Sequence, residues 1–147
     1  MPELELPSFI LFAQEKMGDD TDHQLRIIKA ITTGLDQRGL KALVALQEWA
    51  ITLATRFIKN IPTEESGWTV EAKMQQQYAA EIAGRYRVAT MGPSLKSILT
   101  SKLSSNDATR AVAASSLMSI SASQYTGVVA NVLTDGDETP WMRQRAA

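Results

Sequence analysis

From Ala111 to Thr134 the chain carries no Asp, Glu, Lys, Arg or His. Small residues fill much of the tract: Ala111, Ala113, Ala114, Ser115, Ser116, Ser119, Ser121, Ala122, Ser123, Gly127 and Ala130. Val112, Leu117, Met118, Ile120, Val128, Val129, Val132 and Leu133 are spaced among them. A surface helix turns its apolar stripe to the core and carries charge on the side that meets water. A helix without charge for this length is expected to be surrounded. A chain of 147 residues closes one hydrophobic core but has little interior with which to wrap a whole helix. The tract therefore points to neighbours as well as to the chain's own core. Its five serines, with Gln124 and Asn131, are unfavourable in hydrocarbon and argue against a membrane span.

Helical periodicity runs through almost the whole chain. Pro7-Ser8 opens a short apolar piece with Phe9, Ile10, Leu11 and Phe12, closed by Gly18-Asp19-Asp20. Thr21 followed by Gln24 reads as a capping box. The helix it opens carries Leu25, Ile28, Ile31 and Leu35, ending at Gly34 or soon after. Over residues 40–60, Leu43, Leu46, Ala50, Leu53 and Phe57 alternate steps of three and four, the spacing of one helix face. Pro62 ends that helix, because proline disfavours helix in the residue before it. A further helix is predicted from Trp68 or Thr69 to about Thr90, and a short one over 94–103 after Met91-Gly92-Pro93. Ser104-Ser105-Asn106-Asp107 supplies capping residues for the uncharged segment. That segment reads as helix to about Ser123 and then a continuation to Leu133, with a kink expected at Gly127. Residues 135–147 read as a tail.

Composition excludes several classes of chemistry. There is no cysteine, so disulfides, thiolate catalysis and cysteine-held metals are absent. The N-terminus is acidic and lacks the basic start of a signal peptide. The only histidine, His23, sits among Asp19, Asp20 and Asp22 at a predicted helix start. Carboxylates are favoured there by the helix dipole, so capping explains them without a metal. No nucleophile elbow or glycine-rich phosphate loop is present. The expectation is a chain with no catalytic, metal or cofactor site.

Formal net charge is −1, yet its distribution is uneven. Residues 1–22 hold Glu3, Glu5, Glu15, Asp19, Asp20 and Asp22 against Lys16 alone. Residues 85–110 hold Arg85, Arg87, Lys96, Lys102 and Arg110 against Asp107 alone. Cations with an aromatic, Tyr86, between two arginines are a candidate grip for phosphate and a stacked base. The competing reading is structural: cations are favoured at a helix C-terminus, and Glu81 stands four residues before Arg85 in the order that suits an ion pair.

These readings give an all-α chain. It is expected to be a single domain over 1–147, a bundle of about five to six helices. Residues 1–20 form an N-terminal arm, 21–134 a helical core and 135–147 a C-terminal tail, both ends extended. The expected function is that of a non-enzymatic, self-assembling structural subunit, of a virus or phage coat or of a filament, located in the cytoplasm or a virion. The expected partners are copies of itself, with contacts at Phe9, Phe12, Ala111, Ala114, Met118, Trp141, Met142 and Arg143. Trp, Met and Arg are enriched at such interfaces. The alternative is a helical nucleic-acid-binding or regulatory module that uses the five cations of 85–110.

Overall fold

The computed structural model describes residues 5–103 and 106–146. Leu4 of the apolar N-terminal piece, and Ser104 and Ser105 of the capping cluster, lie outside them. All regular structure among the described residues is helical: α1 (Leu6–Met17), α2 (Thr21–Gln37), α3 (Val44–Ile58), α4 (Val70–Arg85), α5 (Gly92–Thr100), α6 (Asp107–Thr134) and α7 (Pro140–Ala146). Short 3-10 turns occupy Glu65–Gly67 and Ala89–Met91. The chain is all-α, with somewhat more helices than expected. It divides into two compact units, 1–53 and 54–147.

In the first unit, α1 buries Leu6, Ile10 and Ala13 at steps of four and three. Gly18 follows at φ +46°, a conformation that favours glycine. The cap of α2 is Asp20, whose carboxylate accepts from the His23 amide at 3.1 Å. Its other oxygen lies 2.7 Å from His23 Nδ1. The backbone bond from His23, more than the ring contact, holds Asp20 below the usual carboxylate range. The expected capping box between Thr21 and Gln24 does not form. Gln24 is buried instead; its Nε2 donates to the Gly18 carbonyl at 2.6 Å and its Oε1 accepts from Trp49 Nε1 at 2.8 Å. One amide thus ties the end of α1 to the start of α3. α2 passes Gly34 and stops in a Schellman turn, with Leu40 N bonded to Leu35 O, Gly39 N bonded to Asp36 O, and Gly39 at φ +66°.

The second unit is built on α6, against which α4, α5 and α7 pack. Its apolar core includes Phe57, Tyr78, Ile82, Leu95, Ile98, Leu99, Leu117 and Val129. Gln76 turns its amide back to the end of α3, donating to the carbonyls of Phe57 at 2.7 Å and Asn60 at 3.2 Å. Both carbonyls lie at or just past the C-terminal end of α3, where the next helical turn is missing; that of Phe57 also accepts from the Asn60 amide at 3.0 Å. α4 and α6 approach closely because both present small residues. A Cβ placed on Gly84 would lie 2.7 Å from Ser116 Oγ and 2.9 Å from Ser116 Cα. Ser116 Oγ donates to the Ala80 carbonyl at 2.7 Å, so its hydroxyl is buried with a partner.

Three expectations are corrected here. The interruption of α6 falls at Ser121 (φ −160°, ψ 96°) rather than at Gly127. Gly127 is exposed and continues the helix. Around the break, hydroxyls bond locally: Ser119 to the Ser115 carbonyl, Thr126 to the Ala122 carbonyl, and Ser121 Oγ lies 3.3 Å from Ser123 Oγ. Such bonds compete with the helix ladder. Secondly, α6 is not surrounded by the chain's own helices. It buries Ala113, Ala114, Ser116 and Leu117, then Tyr125, Val129 and Val132, while Ser115, Ser119, Ser123, Gln124, Gly127 and Asn131 are exposed. Thirdly, the C-terminal segment is not an extended tail. Thr139 Oγ1 accepts from the Met142 amide at 3.2 Å, starting α7, and Met142 is fully buried.

Candidate functional site

The five cations singled out from the sequence separate into two groups. Arg110 is only 1% exposed. Its Nε donates to the Leu99 carbonyl at 3.0 Å, and Nη1 donates to Asp107 Oδ1 at 3.0 Å. Nη1 and Nη2 clasp Glu138 Oε1 and Oε2 at 2.8 and 2.5 Å, the two-pronged geometry that suits guanidinium and carboxylate. Burial pulls Arg110 down, but the bonds from Glu138 and Asp107 outweigh it and the net shift is upward. The same bond holds Glu138 below its ordinary range. Thr139 joins the cluster, its hydroxyl donating to Asp107 Oδ2 at 3.0 Å. The expectation that Arg110 meets nucleic acid is therefore corrected. Its guanidinium is enclosed by the chain and joins the end of α5, the start of α6 and the turn into α7.

Lys102 is exposed but paired, its Nζ 2.8 Å from Asp135 Oδ2. Hydrogen bonding to that carboxylate raises Lys102, and the same bond lowers Asp135. Arg85, Arg87 and Lys96 are exposed. Arg85 ends α4 with its guanidinium 5.9 Å from the centre of the Tyr86 ring. Arg87 lies in the turn after α4, and Lys96 on the outer side of α5.

The residues expected at subunit contacts are likewise divided. Ala114 and Met142 are buried within the chain itself and present nothing to a neighbour. Phe9, Ala111 and Met118 are half-buried. Phe12, Trp141 and Arg143 are exposed, and Lys16 Nζ stands 5.9 Å from the centre of the Phe12 ring. Exposed Leu11 and Phe12 lie side by side on α1.

Three hollows accompany these surfaces. A groove of about 450 Å³ between α4 and α6 is lined by Glu81, Arg85, Val112, Ser115 and Ser119, with Gly84 and Ser116 at its floor. One of about 180 Å³ lies over the Arg110–Glu138 pair, its Lys102 and Asp135 already bonded to each other. A notch of about 100 Å³ in the first unit is formed by Leu6, Leu35, Leu40, Lys41 and Leu43. Among the described residues no group of His, Asp and Glu is placed to hold a metal ion, and no helix is long and apolar enough to cross a membrane.

Glu138 and Thr139 were not singled out from the sequence, and Asp107 only as a capping residue. Asp107 stands three residues before Arg110, a spacing that brings helix side chains together. Glu138 carried no local signal, since its partner is 28 positions away. The chain matches no known family model, and no curated protein or solved structure is significantly similar to it.

Proposed function

We propose that this chain is a non-enzymatic structural subunit that assembles with copies of itself, in a particle such as a virus or phage coat or in a filament. The observation that supports the reading is the outer face of α6. Ser115, Ser119, Ser123, Gln124, Gly127 and Asn131 are exposed, yet no charged residue occurs anywhere from Ala111 to Thr134. Soluble surfaces ordinarily mix charges of both signs to remain apart. A long exposed helix face without charge loses little solvation when a second copy covers it, and its small side chains let a neighbouring backbone come close. Exposed Leu11, Phe12 and Trp141 add apolar area of the kind that interfaces bury.

Light scattering coupled to size-exclusion chromatography tests the proposal. The expected result is a mass above that of one chain, rising with protein concentration. Introducing charge at two exposed positions of α6, Ala122→Glu with Ala130→Lys, is expected to return the protein to a monomer without changing its helical content. A clean monomer at the highest soluble concentration would refute self-assembly.

A further inference from the structure

The turn that ends α4 is a Schellman motif: Val88 N bonds to Ala83 O at 2.9 Å and Arg87 N bonds to Gly84 O at 3.3 Å. The same motif ends α2, where the left-handed position is Gly39. At the end of α4 that position is Arg87, at φ +50°, the one non-glycine residue with positive φ among the described residues. A side chain is disfavoured there, and glycine is the residue such turns select. Arg87 is exposed, and among the described residues neither it nor Lys96 takes part in an ion pair. The arginine thus occupies a strained position without an ion pair among the described residues that accounts for it.

The nearest carboxylate before the turn is Glu81, which lines the groove between α4 and α6 together with Arg85. From Ile82 to Asn106 there is no carboxylate at all, while Arg85, Arg87 and Lys96 are exposed around the α4–α5 turn with Tyr86 half-buried between the two arginines. Among the described residues the exposed large apolar side chains are Leu11, Phe12, Val44, Val70, Met74 and Trp141, and none lies in this stretch. The corner therefore offers cations and an aromatic ring but nothing to insert into a lipid layer. We propose that the α4–α5 turn is a contact site for the backbone of a single-stranded nucleic acid, with Arg85, Arg87 and Lys96 on phosphates and Tyr86 beside a base. The site goes beyond self-assembly and does not depend on it, since a single copy carries all four residues.

Binding of a fluorescent oligouridine RNA, followed by anisotropy against salt, tests the assignment. Three phosphate contacts on a single strand give a log–log salt slope of about −2, so a fourfold rise in salt weakens binding about twentyfold. Arg87→Gly with Lys96→Gln leaves one contact and a slope of about −0.7, so the same rise in salt weakens binding only about threefold. Lys102→Gln is expected to leave the slope unchanged, because Asp135 already holds that ammonium. Arg87→Gly alone is expected to weaken RNA binding while raising the melting temperature, opposite signs that a purely structural arginine would not give. The proposal is overturned by absent binding at low salt, by a slope that the double variant leaves unchanged, by a fall in melting temperature in Arg87→Gly, or by tighter binding to phosphatidylglycerol vesicles than to RNA.

Discussion

Replacing Glu138 by Gln keeps the side chain's shape and removes its charge. In the native cluster two carboxylate oxygens accept from Arg110 at 2.8 and 2.5 Å, and Glu138 Oε1 also accepts from the Thr139 amide at 3.3 Å. In the variant one oxygen becomes an NH₂ that faces a guanidinium N–H, donor against donor. Removing one partner of a buried ion pair costs about 3–5 kcal/mol, because the other charge stays buried. Arg110 keeps Asp107 and the Leu99 carbonyl, so the loss is expected at about 3 kcal/mol, near the lower bound. For a chain of this size that lowers the melting temperature by about 10 °C. Urea unfolding followed by circular dichroism measures the loss. The double variant Arg110→Met with Glu138→Leu is expected to lose less than the two single changes added together, since neither leaves the other uncompensated. The pair also sets an acid limit. Hydrogen bonding holds the Glu138 carboxyl below its ordinary value of 4.5, so its contribution is whole above that pH. It is lost as the pH falls through the lower folded-state value, because the unfolded chain takes up the proton first. Glu138→Gln should flatten that part of the acid transition. A variant within about 0.5 kcal/mol of the parent, the range of an ordinary surface change, would refute the role assigned to the cluster.

Two of the helical glycines, Gly84 and Gly127, should respond with opposite signs to the same substitution. Gly84→Ala sets a Cβ 2.9 Å from Ser116 Cα, so α4 and α6 must part; overpacking of this kind costs about 1–3 kcal/mol. Gly127→Ala meets nothing within 4 Å and is expected to stabilise by up to about 1 kcal/mol through helix propensity; equal effects in thermal melts would contradict the packing described. Gln24→Ala leaves Trp49 Nε1 buried without an acceptor, at about 1–3 kcal/mol. Gln24→Glu, which keeps an acceptor for the indole, should differ from it in tryptophan emission.

Much of the fold was legible because it is local. The steps of three and four over Leu43, Leu46, Ala50, Leu53 and Phe57 mark α3, and Leu46, Ala50, Leu53 and Phe57 are indeed buried. The boundaries were less so, because a helix end is decided by bonds that composition does not show. Gln24 has the spacing of a capping residue but satisfies Trp49 instead, across 25 positions. The candidate site was legible in kind and misread in membership. Positive charge between residues 85 and 110 is visible in the sequence, yet which cations meet solvent depends on carboxylates brought from the far end of the chain. Glu138 removes Arg110 from the surface and Asp135 engages Lys102, across 28 and 33 positions.

The uncharged tract shows the same limit from the other side. Absence of charge is equally the mark of a buried helix and of an exposed one that a neighbour can cover. Periodicity separates them only when the buried and exposed faces differ in residue type. In α6 both faces are small: Ala113 and Ser116 are buried, Ser116 against Gly84 of α4, while Ser115 and Ser119 are exposed. A serine is accepted on either face because its hydroxyl bonds a nearby carbonyl, as Ser119 does to Ser115 and Ser116 does to Ala80 across the helix contact. Only the close approach at Gly84 decides which serine lies inside, and that is set by the partner helix rather than by α6 itself. The face left outside is the one on which charge insertion has no folded contact to break. Loss of association in Ala122→Glu with Ala130→Lys, with the melting temperature of the monomer unchanged, would therefore report an interface and not a damaged core.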